Sequence, residues 1–243
     1  MKLQQKLAKL GRVEGYRRGW RRAQRSIFRL PFRRVLTATD WQRLREVRQR
    51  YANASEPCAK YADVDHWLRV NRERVQDLKL HRSSQQKVLD LGCGGGFFLF
   101  ILQRLGHSVL GLDTDESPLF RELLQAFEVR RFVWSIKPFE PLPALGQKFD
   151  WITAFSIGFN RYLPGRRRWG PSEWNFLLKD LQQQLAPGGK IYLALNPMPD
   201  GDYWTPELRT FFEQNGADIE RERIFFKHGF CPGNPAMPED LSV

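Results

Sequence analysis

Residues 88–98 read VLDLGCGGGFF. A short β-type run leads into a cluster of glycines, and a run of Phe, Leu and Ile follows. Strand, glycine-rich turn and helix, in that order, present bare backbone to a nucleotide-like ligand in an α/β sheet. Three ligand classes use such a turn. A dinucleotide site has G-x-G-x-x-G; Gly92 and Gly94 match it, but its third glycine falls on Phe97. A phosphate-binding P-loop has G-x-x-x-x-G-K-[ST], and no Lys-Ser or Lys-Thr follows here. What stands is D-x-G-x-G-x-G, made of Asp90, Gly92, Gly94 and Gly96. At Gly92 and Gly94 the missing Cβ lets the chain bend sharply and approach a ligand closely. The helix that follows offers unpaired N–H groups and a partial positive charge. Asp113 lies 21 residues after Gly92, in GLDTD at the end of the next β-type run. A carboxylate there can accept hydrogen bonds from both hydroxyls of a ribose.

Outward from this turn, β-type and helical runs alternate. KVLDL, HSVLGLD, RRFVWSI, FDWITAFSI and KIYLALN read as strands, and ADIERERIFF (217–226) as one last strand. Between them lie FFLFILQRLG, LFRELLQAF, EWNFLLKDLQQQL and ELRTFFEQNG, opened by Ser117-Pro118, Pro171-Ser172 and Thr205-Pro206, which are helix-start pairs. PGG at 187–189 reads as a turn before its strand. Regular alternation predicts an α/β fold: a Rossmann-like, doubly wound, mostly parallel sheet with helices on both faces. Upstream, DVDHWLRVNRERVQDL (63–78) reads as a helix, and Thr39 or Asp40 is expected to cap another through WQRLREVRQRY.

The phrase VLDLGCGGG and the spaced acid resemble the first motifs of the class I S-adenosylmethionine-dependent methyltransferases. KFDWITAF resembles that family's fourth strand, and LQQQLAPGGKIYLALN its following helix, turn and fifth strand, so the resemblance covers roughly residues 85–227. It implies S-adenosyl-L-methionine as cofactor, a transferase activity and a cofactor site at Asp90, Gly92, Cys93, Gly94, Gly96, Asp113, Thr114, Ser135, Ile136 and Phe155, with Asp113 on the ribose. Ser135 and Ile136 stand where the family often has an acid for the adenine amino group. Phe155 is placed beside the cofactor at the end of the fourth strand. The loop after that strand, GFNRYLPGRRRWG, is expected to line the acceptor side through Asn160, Arg161 and Tyr162. Methylases of exocyclic amines in nucleic acids often carry [DN]-P-P-[YF] at this place, and FSIGFNRY departs from it. A small or medium metabolite methylated at oxygen is therefore the favoured acceptor, with rRNA or tRNA, or a binding role without catalysis, as the alternatives. Arg166, Arg167 and Arg168 could receive an acidic or phosphorylated substrate; a solvated charge run is the plainer reading. No metal is expected, because the three cysteines, Cys58, Cys93 and Cys231, make no ligand pair.

The net charge is +12, and it is concentrated: residues 1–60 hold 17 Lys+Arg against 4 Asp+Glu. The division expected is a basic helical N-terminal extension (1–60), the cofactor-binding domain (61–230) and an irregular tail (231–243). Within residues 1–50, Leu3, Leu7, Leu10, Val13, Tyr16 and Trp20 recur every three or four residues and make an apolar stripe flanked by arginines. Such a segment can pack on the domain, bind RNA phosphates or lie on an anionic membrane. No apolar run approaches the roughly 18 residues of a spanning helix, so a cytoplasmic protein is expected.

Overall fold

The computed structural model describes residues 19, 20, 23, 30–32, 35–52, 58–159 and 168–233. Val88, Leu89 and Leu91 are all buried, and a strand with both faces covered belongs in the middle of a parallel sheet. β1 (Lys87–Leu91) accordingly pairs in parallel with β2 (Ser108–Asp113) on one side and β4 (Phe149–Ile157) on the other. β3 (Arg131–Val133) adds to β2, and β5 (Leu185–Leu195) to β4. The last strands are β6 (Asp218–Glu220) and β7 (Arg223–Phe226), giving seven strands in the order β3-β2-β1-β4-β5-β7-β6.

Among the described residues, six α-helices with complete bounds accompany the sheet: α1 (Ala38–Tyr51), α2 (Val64–Asp77), α3 (Phe97–Arg104), α4 (Pro118–Phe127), α5 (Pro171–Gln184) and α6 (Pro206–Gln214). Side chains from α1 to α4 share one core with Val88, Trp151 and Tyr192. α5 and α6 share the other with Leu89, Leu91, Ile152 and Leu193. Alternate residues of β1 and β4 thus serve opposite faces, the period-two geometry of a strand, and the doubly wound α/β reading holds.

The run 217–226 is not one strand. It turns back at Arg221 and Glu222, with Arg221 at φ 49, and its halves pair antiparallel. Nothing in ERER carries the Asn-Gly or Asp-Gly chemistry that marks a two-residue hairpin, so the reversal was hidden inside an unbroken β-type run. The PGG at 187–189 is likewise inside β5. Phe149 faces Leu185, yet Trp151 faces Lys190, so the extra residues bulge out of the strand. RRFVWSI yields only three paired residues, and Trp134, Ser135 and Ile136 leave the sheet.

Thr37, not Thr39 or Asp40, caps α1. Asp40 N–H donates to Thr37 Oγ1 at 3.2 Å and Thr37 N–H to Asp40 Oδ2 at 2.7 Å, a reciprocal box that needs the acid inside the first turn. Asp40 also holds Arg104 of α3 at 2.7 Å, so α1 is tied to the domain core, where Leu44 and Val47 are buried. Asp63, Ser117 and Thr205 cap α2, α4 and α6. Gly19, Trp20 and Ala23 are helical. The rest of the N-terminal stripe, residues 1–18, and the tail beyond 233 lie outside the described residues. Among the described residues no helix is long and apolar enough to cross a membrane.

Candidate active site

The glycine-rich turn leaves β1 over its C-terminal edge, where ligands of open α/β sheets bind. Gly92 and Gly94 have φ of 68 and 54, values that only glycine adopts freely. Gly92 N–H donates to Leu112 O at 2.7 Å, locking the turn to the neighbouring strand. Gly94 N–H donates to Asp113 Oδ2 at 2.6 Å, and Thr114 N–H to Asp113 Oδ1 at 2.7 Å. The turn and the acid expected to cooperate are therefore in direct contact. Burial raises the Asp113 pKa, while these two N–H donors and Arg131 oppose the rise. Arg131 itself donates to Thr114 O at 2.8 Å and pairs with Asp115, which fixes the loop beyond β2.

A cavity of about 230 Å³ opens between this turn and the end of β4. Asp90, Gly92, Cys93, Gly94, Asp113 and Phe155 line it. Gly96 does not; it caps α3, and a Cβ on it would lie 2.7 Å from Leu124 Cδ2. Thr114, Ser135 and Ile136 stand off the cavity lining too, with Ile136 packed against the α5–α6 core. Asn160, Arg161 and Tyr162 lie outside the described residues, as do Arg166 and Arg167. The ends of their loop are pinned: Trp169 N–H donates to Phe159 O at 2.8 Å and the two rings stack at 4.1 Å.

Sequence reasoning missed the wall that α2 supplies. Trp67, Asn71 and Arg74 all line the cavity, at the four- and three-residue spacing of one helix face. Arg74 lays its guanidinium over the Phe155 ring at 4.4 Å, and donates to Asn71 Oδ1 at 2.9 Å and Ser156 Oγ at 3.3 Å. Burial lowers its pKa; Asp90, Tyr61 and Tyr192 oppose that. The signal available was an Asn and an Arg on the apolar side of an amphipathic helix. Tyr61 closes the mouth, stacked on Trp67 at 4.4 Å and edge-on to Phe120 at 5.0 Å.

Ser156 is the strained point of the site. Its φ is 58, a conformation costing a non-glycine residue on the order of 1 kcal/mol or more. Its carbonyl accepts from Asn196 Nδ2 at the end of β5.

Asp90 is almost wholly buried, at 3% exposure, and accepts from Thr153 Oγ1 at 2.6 Å. Burial pushes its pKa up to about 7, against the lowering effects of Thr153 and Arg74. The folded protein therefore keeps a proton there that the unfolded chain releases above about pH 4. Stability from this group is complete at low pH and is lost as pH rises to about 7. Asp90→Asn removes that loss, so denaturant midpoints of the variant fall less than those of the parent between pH 4 and 7. Parallel profiles for the two proteins would show that Asp90 is not the group responsible.

A cavity of about 750 Å³ lies elsewhere, against β5, β6 and β7. It is larger, but it has neither the glycine turn nor Asp113, so chemistry assigns the site to the smaller one. That site, with its glycine turn and adjacent acid, is the candidate cofactor site. Residues 88–189 match the family model described as a methyltransferase domain. Among curated relatives it is 29% identical to a tRNA U34 carboxymethyltransferase of Campylobacter hominis, over 44% of this chain and 35% of that protein. It is 35% identical to the protein of that name from Pseudomonas fluorescens, over 44% and 32%. It is 38% identical to a ubiquinone biosynthesis O-methyltransferase of Nitrosococcus oceani, over 24% and 25%. The matched region spans about a third or less of each relative's length.

Proposed function

We propose that this protein is a methyltransferase using S-adenosyl-L-methionine. The observation that carries the reading is the contact between the Gly94 N–H and the Asp113 carboxylate at the mouth of a cavity that also holds Asp90, Arg74 and Phe155. The residues fit the cofactor. Each Asp113 oxygen has lone-pair capacity left for a ribose hydroxyl. Arg74 and Asp90 place a cation and an acid in one cavity, which suits the carboxylate and ammonium of an amino-acid end. Phe155 offers an aromatic face at the end of β4, and a sulfonium is attracted to such a face.

When bound, the cofactor supplies a methyl carbon already activated by its sulfonium. What remains for the chain is alignment and exclusion of water. Tyr61 and Phe120 cover the glycine turn, and Arg74 and Ser156 set the wall toward the acceptor. A base is needed only if the acceptor must lose a proton near attack.

For the acceptor, a small or medium metabolite methylated at oxygen remains the reading preferred, and the ubiquinone-pathway relative supports it. RNA is the second reading, supported by the relatives named for tRNA U34 and by the basic residues within 1–60. Calorimetric titration of the full chain with S-adenosylmethionine tests the first step, and an absence of heat at any temperature would end the reading. Labelled cofactor offered with total tRNA or with a metabolite extract separates the acceptors. Arg74→Met is expected to weaken cofactor binding about tenfold, the worth of one charge-assisted hydrogen bond; an unchanged Kd would remove Arg74 from the amino-acid end.

A further inference from the structure

The wall of the cleft between α2 and the end of β4 offers donors, and among the described residues no base stands on it. Arg74 engages one Nη1 hydrogen with Asn71 Oδ1 and one Nη2 hydrogen with Ser156 Oγ. A guanidinium carries five N–H groups, so three are left. Ser156 Oγ receives from a cation, which disfavours its taking a proton, and its own O–H remains to donate. The Asn71 amide is engaged at both ends, because its Nδ2 donates to Trp67 O at 2.9 Å. Tyr61 lines the same space, and burial raises its pKa, so its phenol keeps its proton. The acids of the cavity stand apart from this wall. Asp90 lies level with Thr153, two residues short of Phe155 on β4, and receives the Thr153 hydroxyl. Asp113 is on β2, two strands from β4, and receives the N–H groups of Gly94 and Thr114. Burial holds the Cys93 thiol well above its ordinary range, and Asp90 and Asp113 add to the rise. Among the described lining residues there is no His and no Lys. Residues 160–167 read NRYLPGRR, with three arginines and no acid, His or Lys.

An acceptor that arrives as an alcohol, a phenol or an ammonium has a proton to lose, at a pKa of about 10 or above, and this wall does not take it. A carboxylate is ionised from about pH 4 upward and has none to lose. The charges point the same way. The Arg74 guanidinium lies over the Phe155 ring at 4.4 Å, beside the face read above as the sulfonium's, and two cations so close repel unless an anion comes between them. The amino-acid end of the cofactor is a zwitterion and leaves the charge of Arg74 uncompensated. A single guanidinium suits a singly charged group better than a phosphate, which is close to doubly charged at pH 7. Resting on the methyltransferase reading, we propose that the acceptor is an organic carboxylate and the product its methyl ester, with Arg74 and Ser156 holding the carboxylate oxygen that does not react. A lone pair of the other oxygen forms the O–CH3 bond, the carbon–sulfur bond breaks with its pair left on sulfur, and no proton moves. Ser156 is a positioning residue in this scheme.

The test incubates the full-length protein with S-adenosylmethionine tritiated in its methyl group and with the fraction of a metabolite extract retained on an anion exchanger. Label is expected in that fraction, and mild alkali is expected to release it as volatile methanol, because a methyl ester hydrolyses where methyl ethers, N-methyl groups and methyl phosphates persist. Ser156→Ala is expected to raise the KM of the labelled acid about tenfold, the worth of one hydrogen bond to a charged group, and to leave the calorimetric Kd of S-adenosylmethionine unchanged. Label stable to alkali, or label confined to unretained metabolites or to added tRNA, would overturn the proposal and leave the methyltransferase reading standing. A KM within about twofold of the parent in the Ser156 variant would overturn the seat. Absence of cofactor binding in the calorimeter would remove the reading on which both rest.

Discussion

Asp113→Ala is expected to lose S-adenosylmethionine affinity by at least about 100-fold, the factor corresponding to two charge-assisted hydrogen bonds of about 1.5 kcal/mol each. The carboxylate already receives Gly94 N–H and Thr114 N–H, so it is held in place before any ligand arrives. A preorganised acceptor contributes more to binding than one that must be ordered on binding. Truncation also frees the two backbone donors, so the turn loses its strut to β2 as well as its ribose partner. Asp113→Asn separates the effects: its amide keeps one acceptor oxygen without the charge, and an intermediate loss is expected. Calorimetry on the three proteins, with melting temperatures alongside, decides the matter. A Kd within about threefold of the parent in the alanine variant, a difference well under 1 kcal/mol, would show that the ribose lies elsewhere.

Trp174→Ala is expected to cost about 3–5 kcal/mol of stability, the range for truncating a large buried aromatic. Trp174 is fully buried, with Phe212, Trp169 and Phe159 at centroid distances of 5.3, 5.6 and 5.7 Å. The same ring supports the Phe159–Trp169 stack that fixes both ends of the loop expected to face the acceptor. Because a whole domain is stable by only about 5–15 kcal/mol, this variant sits near the limit of folding. Trp174→Phe fills most of the space and is expected to lose much less. Urea denaturation gives both values, and an alanine variant within about 1 kcal/mol of the parent would mean that the cluster collapses into the vacancy without strain.

The features legible in the sequence are those that a short stretch specifies alone. The turn at Gly92 and Gly94 and the caps at Ser117 and Thr205 each rest on residues a few positions apart, and the acid at Asp113 closes a β-type run 21 residues beyond Gly92. Arg74 was hidden because its meaning comes from partners brought by the fold. Ser156 is 82 residues away in sequence, and Phe155 beside it meets Arg74 only because α2 lies across the end of β4. The β6–β7 hairpin was hidden for a different reason. Its turn uses Arg221 in a left-handed conformation, and no glycine or asparagine advertises it. The bulge at Pro187–Gly189 shows the reverse error, in which residues typical of turns are absorbed into a strand by its pairing with β4.

Ser156 gathers three distant lengths of chain at one knuckle: Arg74 reaches it from α2, its own strand carries Phe155, and Asn196 grips its carbonyl from β5. The chain that enters the loop at Gly158 thus departs from a residue whose hydroxyl and carbonyl are held by two other elements, one of which lines the cleft.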